Sequence, residues 1–111
     1  MTDNNELAAS PEYVQESLRA LTAYLERSLD KATSVVLMRH TTDARTVYLG
    51  DPEASLEDLK QIDTITIPAA NGILESTSSG ANTMQVDGQV FRFVRSFTQV
   101  ADTVAVVFST K

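Results

Sequence analysis

The chain has 111 residues, no cysteine, one histidine and a formal net charge of -6. That length holds one hydrophobic core and is too short for two domains, and without thiols packing alone must hold the fold. The acid surplus also opposes nucleic-acid binding, because Arg39, Arg45, Arg92 and Arg95 are too few to neutralise a phosphate backbone.

The polar, acidic start (Met1–Thr2–Asp3–Asn4–Asn5–Glu6) lacks the basic and apolar stretches of a secretory signal. Residues 1–9 are read as a flexible tail, residues 10–111 as a single domain, and the compartment as cytoplasmic. No apolar run approaches the roughly eighteen residues of a membrane span, so no membrane partner is expected.

Ser10–Pro11–Glu12 is a helix start: a capping hydroxyl, a proline at the first helical position and an acid at the positive dipole end. Val14, Leu18, Leu21, Leu25 and Leu29 then recur at helical spacing, which predicts a long amphipathic helix ending near Lys31. Val35–Met38 is a short β-branched run suited to a strand covered on both faces, and Arg45–Leu49 returns beside it as a hairpin. Ser55 and Asp58 have capping-box spacing, predicting a short second helix to about Gln61. Thr64–Ile67 alternates as a strand and stops at Pro68. Between Ala69 and Asn82 the pattern is weakest, and the expectation is a short strand followed by a mobile loop.

The clearest signal lies in the last third. Two alternating runs flank Asp87–Gly88, a dipeptide that tolerates the positive φ of a two-residue turn. Pairing Val86 with Gln89 and Met84 with Phe91 places Met84, Val86, Phe91 and Phe93 on one core face, with Gln85, Val90, Arg92 and Val94 on the other. A third run, Thr103–Ser109, returns antiparallel after a break at Gln99–Asp102. The expected fold is therefore α+β: a long N-terminal amphipathic helix on a mainly antiparallel sheet of about five or six strands, with a short second helix.

Catalytic signals are sparse. His40 with Asp43 is the one pairing through which a hydroxyl could be activated, yet no nucleophile motif surrounds it. Asp51, Glu53, Glu57 and Asp58 lack the alternating ligands and central glycine of a calcium loop. No catalytic, cofactor or metal residue is assigned, and the chain is read as non-enzymatic. The helix stripe covers the chain's own sheet by default, but apolar groups fall on both faces of the meander. The interaction candidates are therefore Val14, Leu18, Leu21 and Leu25 on the helix and Val90, Arg92 and Val94 on the second sheet face.

Two resemblances bear on function. The segment Asn82–Arg95, with its tight polar turn and aromatic-bearing strand before a final strand, resembles the closing hairpin of small tailed-phage head–tail joining and neck proteins. That resemblance implies a structural role in a virion, with the domain repeated in a ring. Ile67–Pro68–Ala69–Ala70–Asn71–Gly72–Ile73 resembles the Ile-Pro-x-x-x-Gly-Ile step of GAF sensory domains, and a helix followed by a hairpin also suits GAF or PAS modules. This second resemblance implies a small ligand cradled by the sheet under the 69–82 segment. The leading expectation is a self-associating protein of an assembly; the alternative is a small-ligand sensory domain.

Overall fold

The computed structural model describes residues 11–39 and 42–110, with helix side chains from residue 16 onward. The expected tail, the Ser10 cap, His40 and the side chain of Val14 lie outside the described residues. Helix α1 spans Pro11–Asp30. Strands β1 (Ser34–Arg39), β2 (Ala44–Gly50) and β3 (Lys60–Thr66) follow, then helix α2 (Ile67–Glu75), then β4 (Gly80–Val86), β5 (Gln89–Val100) and β6 (Thr103–Thr110).

Two antiparallel meanders, β1-β2-β3 and β4-β5-β6, join through β1 and β6 into one six-stranded sheet of order β3-β2-β1-β6-β5-β4. The first and last strands are therefore central, while β3 and β4 form the two edges. Helix α2 connects the edges, and it packs mainly on α1. Residues of both helices join β1, β2, β4, β5 and β6 in one core of Leu21, Leu25, Ile73, Val35, Phe93, Phe108 and their neighbours. Phe93 and Phe108 meet edge to face, with ring centres 5.9 Å apart. A smaller cluster of Val36, Met38, Leu59, Val100 and Ala105, flanked by Tyr48, contains no residue from either helix. It lies on the opposite side of the sheet, as alternation along β1 and β6 requires.

The register predicted for the β4–β5 hairpin is the observed one: Val86 pairs with Gln89 and Met84 with Phe91. Met84, Phe91 and Phe93 are buried on its core face. Asp87 and Gly88 both have positive φ, so the turn matches the strand twist. Elsewhere the structure corrects the expectations. Along α1, Leu29 is exposed and Ser28 takes the inner position, its hydroxyl satisfied by the Leu25 carbonyl. The second expected helix after Ser55 is only a 3-10 turn, Leu56–Asp58, because the Ser55 hydroxyl donates to the Asp58 carboxylate rather than capping a backbone N–H. The expected short strand after Ala69 is instead helix α2, the loop is confined to residues 76–79, and β4 begins at Gly80. Pro68 sits in the first turn of α2, where its missing donor costs nothing, and the Thr66 hydroxyl accepts from the Ala69 N–H as the cap. The break expected at Gln99–Asp102 shrinks to a second two-residue turn, Ala101–Asp102, between a longer β5 and β6.

Candidate functional site

Three contacts fix where the helical layer ends. Gly72 in α2 lies against Ser17 in α1 so closely that a Cβ at position 72 would stand 2.4 Å from the Ser17 Oγ. Tyr24 of α1 donates its phenol proton to the Asp63 carboxylate on β3. Burial first, and that hydrogen bond second, push the Tyr24 phenol well above its ordinary range. Arg95 on β5 donates to the carbonyls of Leu74 and Thr77, at 3.0 and 2.9 Å, and to the Thr77 hydroxyl at 2.8 Å. A guanidinium thus holds the negative end of α2 against the sheet.

Beyond Arg95 the helices stop and the β5–β6 hairpin runs on. Phe97 and Val104 point to the helix side of the sheet by alternation, yet each is 58% exposed. Val106, which pairs with Phe97 and with Leu37, is half-buried between them and the core. The Arg95 guanidinium carbon lies 5.9 Å from the Phe97 ring centre, linking the end of α2 to this bare surface. The other three phenylalanines, Phe91, Phe93 and Phe108, are buried. Phe97 is the one phenylalanine that the fold leaves outside.

Of the interaction candidates read from the sequence, Leu21 and Leu25 are fully buried in the core and Leu18 packs against it, so these three serve the chain's own sheet. Val94 is half-buried and Arg92 exposed. Val90 is also exposed, and with Leu29 and Glu26 it borders an open cleft of about 320 Å³ next to Thr110. The structure does not bring Val90 and Phe97 onto one face, since alternation along β5 separates them. Sequence reading missed Phe97 and Val104. Their signal was present, because Phe97 continues the inward series of Phe91 and Phe93, but the overhang depends on a strand longer than the breakpoint at Gln99 implied.

Chemically reactive arrangements are thin among the described residues. No group of three or more His, Cys, Asp or Glu side chains converges in a metal-holding cluster. A cleft of about 440 Å³ is lined by Arg27, Lys31, Lys60, Asp30, Thr33 and Leu49. Arg27 is in the last turn of α1, where a cation complements the helix dipole, and that gives it a structural role. Among the described residues no helix is long and apolar enough to cross a membrane. Set beside known proteins, the chain matches no family model, no curated protein and no solved structure.

Proposed function

We propose that the chain is a non-enzymatic assembly protein that associates with other copies of itself through the margins of its sheet, with Phe97 and Val104 as apolar anchors. The carrying observation is the exposure of that pair on a hairpin that outruns its helical cover while every other phenylalanine is inside. Burying a phenylalanine is worth roughly 1.5–3 kcal/mol, so an aromatic left in water beside a second apolar group is a strong attachment point. Arg95, already held by the end of α2, keeps the Phe97 side of the surface rigid, which lowers the ordering cost of contact. A ring of copies, as the hairpin's resemblance to head–tail joining proteins implies, is one form such an assembly takes.

The alternative, a GAF- or PAS-like ligand domain, needs space beneath residues 69–82. There Ala70 and Ile73 of α2 fill the core, which favours the assembly reading. The test is light scattering of the wild-type chain up to submillimolar concentration, beside Phe97→Ser combined with Val104→Ser. The reading expects a mass that rises with concentration and a double variant with weakened association and an unchanged circular dichroism spectrum. A wild-type chain that stays monomeric throughout, or a double variant that associates as well as wild type, overturns it.

A further inference from the structure

We infer that the outer edge of β4 is a homodimer interface, at which two copies pair antiparallel about a two-fold axis through Thr83 and their sheets join into one. The inference rests on the assembly reading and adds to it a second contact between copies, at the β4 edge, with its register.

An exposed sheet edge is a template for another strand, and most proteins blunt their edges with charge, proline or a bulge. The edge at β3 is blunted in this way. It carries Lys60 and Asp63, its pairing with β2 shifts register between Val47 and Tyr48, and Asp63 is engaged by Tyr24. The edge at β4 has none of these devices. Gly80–Val86 contains no charged residue and no proline, and its register against β5 runs without a shift from Gly80 to Val86. A head-to-tail ring through the edges would have to seat β4 on the blunted β3, whereas β4 on β4 needs only the open edge.

The backbone supports one register. Val86 and Gln89 flank a two-residue turn, so they form a hydrogen-bonded pair, and such pairs alternate along the hairpin. Val86, Met84, Asn82 and Gly80 therefore direct their N–H and C=O groups at β5, while Gln85, Thr83 and Ala81 direct theirs outward. These outward groups are symmetric about Thr83. A second copy running antiparallel across an axis there makes about six hydrogen bonds, two between the Thr83 residues and two at each Ala81–Gln85 pair.

Side-chain size follows the same symmetry. In this register Thr83 faces its own copy, a pairing in which hydroxyls hydrogen-bond across strands. Ala81 faces the partner's Gln85, Gly80 faces the partner's Val86, and Asn82 faces the partner's Met84. At every flanking position a smaller side chain meets a larger one, so the strand is complementary to itself. Charge agrees. Two chains of net charge -6 repel at long range, but the contacting strip brings no like charges together. Arg92, the cross-strand neighbour of Thr83, is one strand removed from the axis.

The chain has no cysteine, so a single introduced thiol reports its own position. Residues in a hydrogen-bonded antiparallel pair have Cα atoms about 5.5 Å apart, within disulfide range. Full-length Thr83→Cys is expected to form a covalent dimer on mild oxidation. Ala81→Cys and Gln85→Cys are each expected to stay largely uncrosslinked alone and to crosslink when mixed with one another. Thr83→Pro removes an outward N–H that the β4–β5 ladder does not use. It is expected to keep the wild-type circular dichroism spectrum and to raise the dimer dissociation constant at least about tenfold in sedimentation equilibrium, the effect of two lost hydrogen bonds.

Equal crosslinking at positions 81, 83 and 85, or a Thr83→Pro chain that is folded and dimerises like wild type, overturns the β4 interface. If association then still depends on Phe97 and Val104, the assembly reading stands without it. Were Thr83→Pro to unfold the chain, the cysteine pattern alone decides. A wild-type chain with no association and no crosslinking at Thr83→Cys removes both.

Discussion

The contact between Gly72 and Ser17 offers a test in which the sign of the effect carries the information. In an ordinary helix interior, replacing glycine by alanine stabilises by about 1 kcal/mol through backbone entropy and propensity. In α2 the added Cβ would lie 2.4 Å from the Ser17 Oγ and 2.9 Å from the Ser17 Cβ. Rotating the serine moves its oxygen but leaves its Cβ in place, so the helices must separate, and forced overpacking costs about 1–3 kcal/mol. Gly72→Ala is therefore expected to be neutral to destabilising by about 2 kcal/mol, the balance of strain against propensity. Ser17→Gly removes both contacting atoms together with a buried hydroxyl that has no hydrogen-bond partner. In the double variant the overlap disappears, and the coupling energy across the cycle is expected to be about 1–3 kcal/mol in favour of the pair. Urea unfolding of all four proteins measures it, with midpoints compared at a common slope. If Gly72→Ala alone raises the midpoint and the cycle shows no coupling, the two helices do not meet at this point, and the account of where the helical layer ends fails with it.

Three further outcomes follow from single groups. Asp102→Gly relieves a residue held at φ 67 in the second hairpin turn and is expected to stabilise by about 0.5–1 kcal/mol, read as a thermal midpoint several degrees higher; a lower midpoint contradicts that turn. The Tyr24 phenol is held above its ordinary value of about 10, so its contribution is intact below that pH and is lost as pH rises further. Wild type should thus lose stability above about pH 10 more steeply than Tyr24→Phe, and parallel alkaline profiles would refute the buried phenol. Arg95→Met removes the cation bound to the carbonyls of Leu74 and Thr77 and is expected to cost about 1–3 kcal/mol, with faster amide exchange along α2; unchanged exchange there would separate Arg95 from the helix end.

The parts of the fold legible from sequence were those set by local rules. Asp87–Gly88 dictates the turn and alternation dictates its faces, so the sequence alone places Met84, Phe91 and Phe93 inside. The illegible parts depended on distant partners. Ile67–Glu75 reads weakly because its short helix gains most from packing: Gly72 admits Ser17 and Arg95 closes its end from β5, and neither contact is local in sequence. Ala101–Asp102 adopts positive φ without a glycine, which hid how tight the turn into Thr103–Ser109 is and with it the length of β5. The same omission hid the candidate site, since Phe97 is bare only because that hairpin extends past the helices. Helix residues fared differently: Leu21 and Leu25 could have faced a partner or the chain's own sheet, and their burial assigns them to the sheet.

Amide hydrogen exchange at low and high protein concentration tests the central claim most directly, since it asks whether the sheet margins are where copies meet. The account predicts that concentrating the chain slows exchange at Ala81, Thr83 and Gln85, whose N–H groups face outward from β4, and around Phe97 and Val104, while the interior of β1 is unchanged. Exchange patterns that are superimposable at both concentrations would contradict it.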